Sequence, residues 1–219
     1  MKLYTKLYTK RGDAGETTTL AHASVPKDDT QVLAVGALDM LSAQLALLYE
    51  QMDDLERYAP AFSGERALLV DAMHDLLDMG THVGAWQVLY SPHNPFYILW
   101  GTTVPLDMAL KNDKYAFQGK YLPLERLEEH IDALCASTPP LAAFILCTGS
   151  TVGAHAHCAR TACRQAESAV LAVVPKELRS GLEERDLLVL RTLNRLSDYL
   201  FALARAINHT LDRPETEHH

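Results

Sequence analysis

Basic charge is what this sequence has too little of. Its 20 Lys and Arg stand against 28 Asp and Glu, a formal net charge of −8. Such a chain repels phosphate on average, which argues against non-specific nucleic-acid binding. Any anion it holds must meet a local cluster of positive groups. Cysteine is sparse too: Cys135, Cys147, Cys158 and Cys163 include no C-x-x-C pair. With no secretory leader, they are expected to be free thiols in a reducing compartment, and no zinc site is expected. The G-x-x-x-x-G-K-[ST] phosphate loop is missing, and so is an unbroken apolar run. Residues 79–106 carry no Asp, Glu, Lys or Arg, but His82, Gln87, His93 and Asn94 interrupt them. Pro92, Pro95 and Pro105 would break any helix there, so an uncharged loop packed against protein is expected and not a membrane span.

What is present is core material. Hydrophobic residues make up 48% of the 219, with only 11 Gly and 10 Pro. That composition suits one globular domain over 1–219 and excludes collagen-like or largely disordered classes. Lys2–Lys6 is repeated as Lys6–Lys10, too short a unit to build an architecture. Asp28, Asp29 and Thr30 offer capping side chains for a first helix over about 30–52, apolar nearly all round. Further helical patterns cover about 64–90, 124–134, 151–174 and 183–212, punctuated by Pro139-Pro140, Pro175 and Pro214. Only Ala143–Leu146 reads as a strand. Five helices without a credible sheet predict an all-α bundle.

Polar residues recur on these apolar helices. His157, Arg160, Arg164 and Glu167 fall at i, i+3, i+7 and i+10 of the fourth helix, and so share a stripe. Arg191, Asn194, Asp198 and Arg205 share a face of the fifth. Asp39 stands alone among aliphatics in the first; a buried carboxylate there needs a cation, and Arg160 or Arg164 is the expected partner. Each stripe by itself reads as a solvated face or a structural ion pair. Together they suggest a polar site between helices, with two arginines suited to bidentate anion binding. Near the start, Thr9-Lys10-Arg11-Gly12-Asp13-Ala14-Gly15-Glu16-Thr17 combines glycines, hydroxyls and two cations. Such a loop can wrap a polyphosphate, although by composition it is also an ordinary turn.

In order along the chain, these blocks resemble the PduO-type ATP:cob(I)alamin adenosyltransferases. Tyr8–Thr17 is similar to the family's Y-T-K-T-G-D-x-G-x-T loop, and Pro26–Asp29 with Ala34-Val35-Gly36 and Asp39 to its P-K-D-D…E-A-V-G-x-x-D-E-L block. Cys158–Glu167 resembles C-R-x-x-C-R-R-A-E, Phe144-Ile145-Leu146 stands at its F-I-L, and Leu193–Phe201 follows its L-N-R-L-S-D-Y-L-F. Leu33 and Met40 replace family glutamates, Gln165 an arginine, Arg11 a threonine, and Cys147-Thr148 a Pro-Gly.

The resemblance implies a homotrimer of five-helix bundles with ATP and corrinoid at subunit interfaces. It implies transfer of the 5′-deoxyadenosyl group to cob(I)alamin with release of triphosphate. Thr9, Lys10, Gly12, Asp13, Gly15 and Thr17 would cradle ATP, within a nucleotide-binding stretch over 1–30. Lys27 and Arg164 would meet its phosphates, with Mg²⁺ carried by ATP and no protein-only metal site. Asn194, Glu167 and Asp198 would complete the nucleotide side, Asp39 with Arg160 would pin the site, and Phe144 would lie below the corrin. The alternative is a catalytically weak homologue that binds ATP or corrinoid as a carrier or regulator. An adenosylcobalamin-dependent enzyme would be a partner, and neither nucleic acid nor membrane is expected to be one. The early nucleotide loop leaves no room for a transit peptide here, so the cytoplasm is expected, with the mitochondrial matrix after processing as the alternative. Residues 91–119 match nothing in the family pattern and are read as an atypical loop.

Overall fold

Asp29 starts the first helix by accepting the Gln31 amide at 2.9 Å, one of the donors that a helix N-terminus leaves unpaired. In this computed structural model, residues 8, 10–19, 24–59, 62–89, 96–99, 102–105, 117–174, 176–182 and 184–218 are described. Helix α1 spans Thr30–Tyr58, longer at its far end than the sequence pattern predicts. Ala34, Leu38, Leu41, Leu45, Leu48, Met52 and Leu55 recur every three or four residues and are all buried.

Helix α2 covers Ser63–Leu89, α3 Leu124–Ala136, α4 Thr151–Val173 and α5 Glu184–Thr210, with a 3₁₀ turn at Lys176–Gly181. Helix α1 packs on α2 and α4, α4 on α5, and α3 on α5. The buried face of α4 is mostly small residues, Gly153, Ala156, Ala159, Cys163 and Ala166, with His157 and Val170 among them. That composition lets α4 approach its neighbours closely, since interaxial distance follows side-chain size. The five-helix expectation is met.

Strands are the correction to the sequence reading. Glu16–Thr18 (β1) pairs antiparallel with Ser24–Pro26 (β2), Thr17 opposite Val25. Phe96–Leu99 (β3) pairs with Thr102–Pro105 (β4) inside the stretch expected to be an irregular loop. Aromatic and β-branched residues dominate both halves of this second hairpin, and only two residues separate them. Ala143–Leu146 is no strand of a sheet; Ile145 makes a single bridge to Glu217. The repeated start of the chain lies almost wholly outside the described residues.

Buried carboxylates bind the layers together. Glu65 of α2 accepts the Tyr199 hydroxyl of α5 at 2.8 Å and meets His130 Nδ1 of α3 at 2.9 Å. Asp186 of α5 meets His82 Nε2 of α2 at 3.0 Å. Asp75 accepts the amides of Tyr121 and Leu122 at 3.2 and 2.9 Å, and burial pushes its carboxyl up against those bonds. Each has the partner that a buried charge requires.

Thr30–Asp53 is long and apolar enough, by length and composition, to cross a membrane, alone among the described helices. Its buried stripe instead faces α2 and α4. On its outer side Leu33, Met40 and Leu47 are 55%, 57% and 44% exposed, beside the exposed Asp39.

Candidate functional site

Two successive turns shape the N-terminal loop. The Asp13 amide donates to the Lys10 carbonyl and the Gly15 amide to the Gly12 carbonyl, both at 3.3 Å. Lys10 and Gly15 take the left-handed region, at φ 62° and 88°. Glycine is the low-cost residue for that conformation; a lysine there carries backbone strain. The Lys27 amide then donates to the Gly15 carbonyl at 2.9 Å, which brings β2 back onto the loop. A Cβ at Gly12 would stand 3.2 Å from Lys27 Cε and Nζ, so the ammonium lies against the bare backbone of the loop. Lys10, Gly12, Asp13, Gly15, Thr17 and Lys27 are thus gathered in one place; Thr9 lies outside the described residues. Exposed amides, a hydroxyl and two ammonium groups make a cradle for a polyanion.

A cavity of about 320 Å³ opens beside this loop. Thr17, Thr18 and Thr19 form one wall, Gln31, Val35, Gly36 and Asp39 of α1 another, and Gly80 and Gly84 of α2 the floor. The expected pairing of Asp39 with Arg160 does not occur within the chain. Asp39 is exposed on α1 and lines this cavity, so no desolvation demands a cation beside it. Arg160 instead lies 5.8 Å from the centre of the Phe201 ring and donates to Cys147 Sγ at 3.8 Å.

The stripe on α4 divides by burial. His157 is buried beside the Phe201 ring, and neither ring nitrogen has a hydrogen-bond partner. Burial lowers its pKa first and the Arg160 charge second, with Glu215 opposing. Arg164 is exposed, and no ion pair holds its guanidinium among the described residues. Glu167 accepts from Asn194 Nδ2 at 3.5 Å, which joins the α4 stripe to α5. Asp198 lies 3.8 Å from Arg195 Nη1, and Arg195 also donates to Asn194 Oδ1 at 3.0 Å. The outer members of the α5 face leave the group: Arg191 pairs with Glu184, and Arg205 donates to the Pro139 carbonyl at 2.7 Å. Cys163 donates its buried thiol to the Leu193 carbonyl at 3.1 Å, and burial pushes that thiol far up, so it is inert.

Phe144 projects from the loop before α4 and is 86% exposed, with Leu146 beside it also exposed. An aromatic face left this open is a platform for a flat apolar surface. Among the described residues no hydrogen bond or ion pair joins the N-terminal cradle to the Arg164–Asn194 group. The chain therefore carries two separate polar groups among the described residues, one in the loop beside α1 and α2 and one on α4 and α5. Among the described residues no cluster of three or more His, Cys, Asp or Glu could hold a metal ion.

Both groups fall inside one family match. The model of the cobalamin adenosyltransferases matches residues 7–207. This chain belongs to that family. The corrinoid adenosyltransferase of Bacillus subtilis is 32% identical over 203 residues, covering 93% of this chain and 86% of that protein. The human corrinoid adenosyltransferase MMAB is 32% identical over 200 residues, 91% of this chain and 68% of its own length. A variant PduO-type ATP:corrinoid adenosyltransferase from Lactobacillus reuteri, solved with cobalamin and ATP, superposes with a TM-score of 0.72 at 26% identity. That match covers 97% of this chain and 96% of the other. The helical core of the adenosyltransferase family is thus preserved here.

Sequence reasoning missed Asn208, the most connected polar side chain near Phe144. Its only trace was Gly149 and Gly153 flanking the start of α4, a spacing that marks close approach of another group.

Proposed function

We propose that this chain is an ATP:corrinoid adenosyltransferase that moves the 5′-deoxyadenosyl group of ATP onto cob(I)alamin. Cobalt(I) attacks C5′ with its own electron pair, a Co–C bond forms, and the C5′–O bond breaks. Inorganic triphosphate leaves with the bonding electrons. The nucleophile is strong without help, so no general base is needed. The protein must align cobalt with C5′ and meet the charge that develops on the leaving triphosphate. The Gly12–Gly15 loop with Lys27 against its backbone is the observation that carries this reading, because it is a preformed polyanion cradle in an acidic chain. Arg164 meets the phosphates, Asn194 and Glu167 hold the nucleotide, and Phe144 covers the lower corrin face to exclude an axial ligand. Mg²⁺ accompanies ATP as a counter-ion.

The working unit in this reading is a homotrimer in which the two groups act as half-sites that complete one another across subunit boundaries. Three features support it: among the described residues no hydrogen bond or ion pair joins the cradle to the Arg164 group, none pairs the exposed Asp39, and α1 presents apolar residues to solvent. Asp39 and Arg160 are then a pair between subunits. The product would pass to an adenosylcobalamin-dependent enzyme. The test is adenosylcobalamin formation from chemically reduced cobalamin and ATP, followed by absorbance. A chain that binds both substrates and yields no product would be a carrier, and the reading would fail.

A further inference from the structure

We infer that Asn208 is a positioning residue for the reaction, holding Phe144 in place through a strap formed by residues 213–218. The inference rests on the proposed corrin-facing role of Phe144.

Asn208 sits near the end of α5 and is fully buried. Its Oδ1 accepts the Ser150 amide at 2.8 Å and the Ser150 hydroxyl at 2.7 Å. Its Nδ2 donates to the Thr148 carbonyl at 3.1 Å and to Glu215 Oε1 at 3.2 Å. A carboxamide has two lone pairs and two N–H groups, so every bonding position is used. Two glycines make the room. A Cβ at Gly149 would stand 2.4 Å from the Asn208 amide nitrogen, and one at Gly153 would stand 2.2 Å from its oxygen. Gly149 also needs its freedom for φ of 116°. Ser150 in turn caps α4 by accepting the Gly153 amide at 3.0 Å. One side chain therefore fixes the start of α4, the end of the Phe144 loop and the segment that follows α5.

That segment lies along the loop as a short antiparallel strap. The His218 amide donates to the Phe144 carbonyl at 2.7 Å, and the Leu146 amide to the Thr216 carbonyl at 2.8 Å. The Thr216 amide donates to Thr148 Oγ1 at 2.8 Å, and the Arg213 amide returns to the Asn208 carbonyl at 2.9 Å. An exposed aromatic on an irregular loop is ordinarily mobile. Here the peptide of Phe144 is itself bonded to the strap, and the strap is anchored on Asn208. A ring that must keep a ligand off cobalt has to stay put, and small misplacements at such groups are costly.

Asn208→Asp and Thr148→Val test the strap in the full chain. Asp keeps an acceptor for Ser150 but sets a carboxylate oxygen against the Thr148 carbonyl and the Glu215 carboxylate. Val at the exposed position 148 deletes the acceptor for the Thr216 amide and leaves the core alone. In Asn208→Asp we expect kcat to fall about ten-fold, with loss, in the presence of ATP, of the four-coordinate spectrum that cob(II)alamin, the one-electron-oxidised form of the substrate, shows when its lower axial ligand is excluded. ATP affinity by calorimetry and the helical circular-dichroism signal should not change. Thr148→Val should move kcat and the spectrum the same way, by about three-fold. If Asn208→Asp does not fold, Thr148→Val alone decides. A lowered melting temperature with kcat and spectrum intact would make Asn208 a helix cap only and overturn the inference. Phe144→Ala is measured alongside. If it retains the four-coordinate spectrum, the corrin-facing role of Phe144 is wrong; if it loses the spectrum while the strap variants keep it, only the strap is wrong.

Discussion

Arg160 and Arg164 stand one turn apart on α4 and meet different surroundings. Arg160 rests against Phe201 and Cys147, half-buried, whereas Arg164 projects into solvent. A guanidinium that is free in the resting protein can spend its interaction on charge that appears only as the triphosphate leaves. Arg164→Ala should therefore lower kcat roughly 10²-fold, the scale of one lost charge-stabilising donor, with the helical signal unchanged. A variant that loses ATP binding and keeps its kcat at saturation would place Arg164 in ground-state binding instead. His157 carries a second residue-scale prediction. Its pKa is lowered from 6.5 by burial first, so in the window below 6.5 the unfolded chain takes up a proton that the folded chain refuses. Stability is then full above that window and declines as pH falls through it. Urea midpoints measured between about pH 7.5 and 5 should drop less steeply in His157→Gln than in the parent chain. Parallel slopes would assign the acid sensitivity to another group.

At the scale of elements, punctuation made the helices legible and periodicity made the site only half so. Asp29 and the prolines mark helix ends because capping and ring geometry act locally. The two hairpins were hidden because each strand is three or four residues long, below the length at which alternation separates from noise. Asp39 was misjudged for a different reason. Helical spacing tells which residues share a face, but not whether that face is covered by the same chain. Asn208 was hard to see because its four side-chain hydrogen bonds go to Thr148, Ser150 and Glu215, in two stretches of chain apart from its own helix. The stretch from Lys10 to Thr17 reads as one unit in the sequence, and under the proposed function its Gly15 carries a prediction. A Cβ there meets nothing within 4 Å, so only backbone strain at φ of 88° opposes a side chain. Gly15→Ala should cost the loop about 1–2 kcal/mol. That strain should weaken ATP binding roughly five- to thirty-fold and leave the melting temperature of the bundle where it was. A fall in melting temperature with unchanged ATP affinity would mean that the loop is part of the core and not of the site.

For the whole molecule, the exposed side of α1 decides what the working particle is. Leu33, Met40 and Leu47 stand seven residues apart, all largely outside the core, on a helix whose other stripe is fully packed. A seven-residue repeat on one face is the pattern by which one helix seats against another. Isolated exposed leucines need no explanation, but an ordered row beside the cavity over α1 and α2 does. Two of the departures from the family pattern fall on this face: apolar Leu33 and Met40 stand where carboxylates are usual, while Gln165, exposed on α4, stands where a guanidinium is usual. Two negative charges and one positive are thus absent together, and replacing an ionic set by neutral groups as a set is neutral or stabilising. If this face is the subunit seam, light scattering on a size-exclusion peak should give about three times the 24.3 kDa chain mass. Met40→Glu combined with Leu47→Glu should shift that peak toward one chain, because a carboxylate returned to an apolar seam has no partner. Its helical signal should hold, since neither side chain belongs to the core. Turnover should fall with the mass, because the cradle over α1 would lose the Arg164 group of its neighbour. A fully active single chain would put both half-sites within one subunit's reach and remove the seam from the mechanism.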